Sequence, residues 1–298
     1  MSTRLFERQV VHLYWFSGSG NSLIAALALA ERFRELGLEV ELRSLENRDP
    51  FEIDPMAVFG LAFPTHCFAM PEIVRQFTEQ LPQVDKIPAF MVNTVGATSC
   101  GGIRGPLKRI LTDKGFVCMG AKELIMPDSF FAFVHGRLAQ RMIRGAVRRV
   151  RIFADRLVAQ KTSWRRIPVI TDAWAALMRR LFACRNLLRY PRVIAKSKPC
   201  TRCGVCAKHC PVGALSMQSL EKADPEQDDL ERKRVRHNTR PIKSPPEPSL
   251  ACTLCLRCVA MCPNNAMRLR WMMLPPYRPD SPKELLQLFD KPNKEPRS

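Results

Sequence analysis

No stretch of this sequence stays apolar for the roughly 20 residues that a bilayer-spanning helix needs, which excludes a transmembrane helix as the organising element. Met1 to Gln9 lacks the charged-then-apolar shape of a signal peptide and runs directly into a strand pattern. A Gly-Lys-Ser/Thr triplet, which the P-loop of a nucleotide triphosphatase requires, occurs nowhere. Tyrosine and tryptophan are scarce, three and four in 298 residues, so few large aromatic platforms exist for a flat ligand. Acidic residues are outnumbered, 28 against 47 Lys and Arg, which leaves a net charge of +19 at pH 7. Apolar content is ordinary at 46%, and the length admits two domains with at least one sizeable core.

What the chain has in excess is cysteine. Eight of its twelve cysteines form two runs, Cys200, Cys203, Cys206, Cys210 before Pro211, and Cys252, Cys255, Cys258, Cys262 before Pro263. The offset is 52 residues throughout, and Pro211-Val212-Gly213-Ala214-Leu215 is echoed by Pro263-Asn264-Asn265-Ala266-Met267, which marks an internal duplication. Two structural zinc sites would leave the third hook of each run without a purpose. The run resembles that of bacterial two-cluster ferredoxins, in which the fourth cysteine ligates the other cluster. On that rule Cys200, Cys203, Cys206 and Cys262 hold one [4Fe–4S] cluster, and Cys252, Cys255, Cys258 and Cys210 hold the other. Cys67, Cys100, Cys118 and Cys184 are scattered without a pairing pattern, so a reducing, cytoplasmic setting is expected, in an anaerobic host. Cys118 and Cys184 fall in apolar patterns and read as core, while Cys67 and Cys100 read as packing or loop thiols.

The N-terminal half alternates strand and helix patterns. Val10–Phe16 is a continuous apolar strand ending in Ser17-Gly18-Ser19-Gly20-Asn21-Ser22, and Leu23, Ala26, Leu27, Ala30, Phe33 and Leu36 then recur on one helical face up to Gly37. A strand, a small-residue turn and a helix start together form an anion site. Three hydroxyls, one amide and no cation suit a terminal phosphate monoester. The dinucleotide pattern fails, because Leu23 stands where its third glycine should be. Further strands are expected at Val40–Ser44, Ala57–Phe63, Ala89–Asn93 and within Phe116–Ile125, with helices at Glu72–Leu81 and Ile103–Lys114, which predicts a parallel sheet. Leu45–Met56 is short for a crossover helix and carries two prolines.

The serine loop resembles the phosphate loop of flavodoxins, with Ser17, Ser19 and Ser22 at the hydroxyl positions and Gly20 and Asn21 matching outright. That resemblance implies FMN. It also implies that the strand-end loops containing Pro64, Thr65, His66 and Phe68, and Asn93, Thr94, Val95 and Gly96, clasp the isoalloxazine ring. Gly96, Gly101 and Gly102 would let backbone approach it closely.

Between Gly136 and Lys198, 17 basic residues face only Asp155 and Asp172. Leu138, Met142, Ala146, Val150, Phe153 and Leu157 predict one amphipathic helix there, and Ala173–Leu188 a second. The basic face reads as solvated, as steering an acidic redox partner, or as touching an anionic membrane surface. No base-reading fold supports a nucleic-acid partner. An inserted loop at 219–249 separates the cysteine runs, and the tail after 275 is proline-rich, with a short helix expected at Pro282–Phe289.

Together the halves resemble the flavodoxin–ferredoxin fusion proteins of anaerobes. The resemblance implies a doubly wound five-stranded α/β domain (1–160), a basic linker (161–195), an α+β ferredoxin domain (196–275) and a tail (276–298). It further implies two [4Fe–4S] clusters and FMN, and electron transfer between one- and two-electron carriers. The alternative is a flavin-dependent reductase of a bound small molecule, with His66, Cys67 and Cys100 at its site and the clusters feeding electrons.

Overall fold

The computed structural model describes residues 9–46, 49–66, 69–96, 102–129, 134, 136–164, 193–195, 199–215, 252–269 and 287–289. The first half contains β1 (Val10–Trp15), α1 (Asn21–Glu35), β2 (Glu39–Ser44), β3 (Val58–Pro64), α2 (Glu72–Gln80), β4 (Ile87–Val95), α3 (Arg104–Asp113), β5 (Phe116–Ile125) and α4 (Gly136–Val158). The five strands are all parallel, in the order β2-β1-β3-β4-β5. This is the flavodoxin-like order, with its switch point between β1 and β3.

Side chains alternate across β1 and so feed two cores. Val11, Leu13 and Trp15 pack with Leu29 and Phe33 of α1 and Val150, Phe153 and Leu157 of α4. Tyr14 and Phe16 pack on the opposite face with Phe77 of α2 and Leu107 and Leu111 of α3. β4 is buried along its whole length, as expected for a strand covered on both faces. Gly37 ends α1 at φ +83°, a conformation that glycine adopts without steric cost.

The short crossover at Leu45–Met56 contains no helix among its described residues. Side chains tie it down instead. Tyr14 Oη donates to the Glu52 carbonyl at 3.2 Å, and Arg43 Nη1 donates to both groups. The basic helix α4 lies against α1, where Arg151 pairs with Glu31 and Glu35, and Arg32 with Asp155. Its apolar face differs from expectation at the start. Leu138 is 55% exposed and Ala139 is buried in its stead. Packing runs past residue 160: Trp164 is buried on the α3 side, its Nε1 donating to the Arg104 carbonyl. Cys118, expected in the core, is half-buried at its margin.

The cysteine-rich unit is built from β6 (Val193–Ala195), α5 (Val205–Lys208), α6 (Arg257–Met261) and β7 (Met267–Leu269), with β6 and β7 antiparallel. Residues 287–289 are helical at the end of the expected tail helix. The Ala173–Leu188 helix, the 219–249 insert, Phe68, Cys67, Cys100, Gly101 and Cys184 lie outside the described residues. No helix among the described residues is long and apolar enough to cross a membrane.

Candidate metal centres

The duplication in the cysteine runs is also a duplication of backbone. Left-handed residues occur at Arg202, Gly204 and Gly213 in the first copy and at Leu254, Leu256 and Asn265 in the second, the same three places. Four of the six are not glycine, so tertiary constraints hold them in a conformation that costs about 1–2 kcal/mol for ordinary residues. Each sequence of turns carries the first two cysteines of its run, and the third falls in the short helix that follows, α5 or α6. The Pro-x-x-Ala-apolar segments follow suit. Ala214, Leu215, Ala266 and Met267 are all buried, and the amides of Ala214 and Ala266 donate to Cys210 Sγ and Cys262 Sγ, each at 3.2 Å. Such donors favour a thiolate at the crossing cysteine.

Two cavities result. One is lined by Cys200, Cys203, Cys206 and Cys262, the other by Cys210, Cys252, Cys255 and Cys258. Each cavity is thus lined by three cysteines of one run and the fourth of the other. Among the described residues, no three His, Cys, Asp or Glu side chains converge to hold one metal ion. A cubane places one iron at each thiolate, so its ligands surround a space instead of meeting at a point. Thr253 Oγ1, which borders the second cavity, is buried without a hydrogen-bond partner, a donor available to a sulfide. The residues fit a [4Fe–4S] cluster in each cavity. Burial pushes the thiols of Cys206 and Cys252 up, that of Cys255 up to about 11, and that of Cys258 well above the ordinary range. Holding thiolates there requires the positive charge of bound metal.

The second copy is the one that meets the α/β domain. Ala260 and Met261 join the core that contains Trp15, and Cys255 packs against the core that contains Phe16. Arg257, 2% exposed, supplies the polar join. Its Nε and Nη2 donate to the Ser17 carbonyl at 3.2 and 2.6 Å, Nη1 to the His209 carbonyl at 3.2 Å, and both Nη atoms to the Glu46 carboxylate. All five guanidinium N–H groups are used. The same side chain stacks over Phe289 at 4.5 Å, and Phe289 meets Trp15 edge-on.

The expected phosphate loop lies beneath this join. Ser17, Ser19, Asn21 and Ser22 are all buried, and each side chain makes a hydrogen bond within the protein. Ser17 Oγ accepts from the Gly20 amide, Ser19 Oγ pairs with Ser129 Oγ, Asn21 Nδ2 donates to the Pro127 carbonyl, and Ser22 Oγ pairs with Thr94 Oγ1. A Cβ on Gly18 would lie 1.9 Å from the Cys255 carbonyl oxygen. Space beside Gly96 is taken by the Asp128 carboxylate, 1.8 Å from where a Cβ would be. Asn93 Oδ1 is buried without a partner and, as an acceptor, does not suit a phosphate. His66 pairs its backbone with Ala69, and burial pushes its imidazole down to about 4, so it is neutral at pH 7. Pro64, Thr65 and His66 are half-buried, and Val95 is buried. The loop is thus covered on its Gly18 side by the second cysteine run, and its serines are bonded within the α/β domain.

Sequence pattern did not reveal Arg257, Glu46 or Phe289. One signal was available: Arg257 stands where the first copy has Val205, a charge at a position that the duplication makes apolar.

Fold and cavities together define the class, a flavodoxin-like α/β domain carrying a duplicated cysteine-rich unit. Residues 196–266 match the family of 4Fe-4S dicluster domains. No curated protein matches the chain. Solved structures similar to its first half include a flavodoxin of Streptococcus pneumonia TIGR4, at 17% identity over 51% of this chain and 99% of that one, with a TM-score of 0.39. Another is a flavodoxin from the domain Archaea, at 12% identity over 50% and 98%, with a TM-score of 0.37. A third is the rubredoxin oxygen:oxidoreductase of Desulfovibrio gigas, at 19% identity over 51% and 37%, with a TM-score of 0.33. The assignment of the fold rests on strand order, not on these scores.

Proposed function

We propose that the chain is an iron–sulfur electron-transfer protein in which each cavity holds one [4Fe–4S] cluster and single electrons pass through the pair to a separate redox partner. The observation that carries this reading is the division of eight cysteines into two interleaved sets of four around two cavities. Bound clusters supply one-electron chemistry at potentials set by hydrogen bonds, charge and burial. The protein contributes amide donors to Cys210 and Cys262, an apolar surround, and a fixed cation, Arg257, beside Cys255. That cation favours the more reduced, more negative state of the second site over the first. The exposed arginines of α4, Arg141, Arg144, Arg148 and Arg149, suit an acidic redox protein as the partner.

The fusion resemblance adds FMN as a converter between one- and two-electron carriers. Against it, the second cysteine run covers the serine loop where the FMN phosphate would enter. The test is anaerobic purification with iron and sulfide counts, followed by reduction and electron paramagnetic resonance. Roughly eight iron and eight sulfide per chain, with two interacting reduced clusters, are expected. A colourless protein, or one holding zinc, overturns the reading.

A further inference from the structure

We infer that the serine loop of the α/β domain is a docking socket for the second cysteine run and not a phosphate site, so that the chain works without bound FMN. Three closures support this, two from the docked second run and one from within the α/β domain.

The first is steric. At the carboxyl end of β1, where a doubly wound sheet ordinarily admits its ligand, the Cys255 carbonyl lies against Gly18. Gly18 has no left-handed φ, so the turn itself does not demand glycine there. The requirement comes from the neighbouring peptide of the second run. The second closure is polar. Arg257 caps the Ser17 carbonyl and spends its remaining donors on Glu46 and His209, which leaves none for an anion. The third lies within the α/β domain. Ser19 bonds to Ser129, Ser22 to Thr94 and Asn21 to the Pro127 carbonyl, so the side chains of the loop are held by the domain itself, while the Asp128 carboxylate fills the space beside Gly96, in the loop expected to clasp the flavin ring. Apolar contacts continue the seal, since Met261 and Phe289 join the Trp15 core. The residues of a phosphate loop have thus become the floor of an intramolecular interface, and the second cavity sits directly on the end of the sheet.

The full-length protein, purified anaerobically, tests this through acid-released flavin and FMN titration by fluorescence. No stoichiometric flavin and no saturable FMN binding are expected. About one flavin per chain, or saturable micromolar binding, overturns the inference. Arg257→Ala is expected to gain no FMN binding, because the third closure is untouched; a gain also overturns it. Gly18→Ala drives a methyl group into the Cys255 carbonyl. A changed visible circular dichroism or paramagnetic signature of one cluster and a lowered melting temperature are expected, with far-ultraviolet dichroism unchanged. A Gly18→Ala protein with wild-type cluster signature and stability overturns the docking. The flavin assay on the unmodified chain decides the matter even where a variant fails to fold. Iron and sulfide counts on the same sample separate failure of the cluster reading from failure of this one.

Discussion

Val205 and Arg257 occupy the same place in the two copies of the cysteine run, the first residue of a short helix. Around Val205 the helix α5 buries none of its residues, and Cys203 nearby is exposed. Around Arg257 the helix α6 buries four of five. The backbones are otherwise matched, down to three left-handed positions and the amide donors to the crossing cysteines. Duplication therefore supplied two equivalent cages, and substitutions on one helix face turned one of them into an interface. The two sites receive different surroundings from the same local scaffold: one faces solvent, and the other faces a buried cation and the end of a parallel sheet. Surroundings of that kind separate the potentials of chemically identical clusters.

The largest effects should come from the cysteines. Cys203→Ser and Cys258→Ser are each expected to lower the iron content from roughly eight to about four per chain. Cys258→Ser should also lower the melting temperature of the α/β domain more than Cys203→Ser does, since α6 buries Ala260 and Met261 in its core, whereas α5 only lays the half-buried Val205 against it. Equal melting curves for the two variants would break the comparison.

Next comes the join. Arg257→Ala strips the Ser17 and His209 carbonyls and the Glu46 carboxylate of their partner and should cost about 3 kcal/mol, the lower end for opening a buried pair, because Glu46 is partly exposed. Val205→Ala, its counterpart, should cost about 1 kcal/mol. Chemical denaturation of both proteins measures the difference.

Acid should act on the second copy more than on the first. His66 meets the edge of Phe16, and Phe16 lies under Arg257. Folded, His66 takes its proton near 4, whereas unfolded it does so near the ordinary 6.5. Between those values unfolding takes up a proton, so this part of the stability is present above 6.5 and is lost as pH falls toward 4. From pH 7 to pH 5 the loss should be about 2 kcal/mol. His66→Gln should flatten that slope in denaturation curves taken across the range; an unchanged slope would remove His66 from the account.

The smallest effect tests the symmetry itself. Gly213→Ala and Asn265→Ala place alanine at left-handed positions in the two copies. A Cβ at Gly213 meets nothing within 4 Å, so the cost there is purely conformational, about 1 kcal/mol, and Asn265→Ala should match it. A clear difference would show that the two turns are not equivalent.

Much of this architecture is legible in the amino-acid pattern. The apolar runs at β1, β3 and β4 and the helical spacing from Leu23 to Phe33 reappear within a residue or two, because strand and helix periodicities are local properties. The crossing of Cys210 to the second run and of Cys262 to the first is what the resemblance to two-cluster ferredoxins implies, and the linings of the two cavities fall the same way. Periodicity misplaces Leu138 because the buried face of α4 begins at Ala139, one residue round the helix from the position that spacing alone selects. The serine loop is recognisable as a strand–turn–helix junction, but its occupant is not. Its covering groups, Cys255 and Arg257, lie some 240 residues away in the chain.

By itself, then, the sequence determined the parallel α/β sheet and the duplicated cysteine unit, since each depends on residues close together or on a repeat that can be counted. Tertiary structure alone decided which cage faces solvent and which faces protein, and what fills the end of the sheet. Those outcomes come from contacts between surfaces, such as one guanidinium fitted between a carboxylate and two carbonyls, and local pattern carries no record of which surfaces will meet.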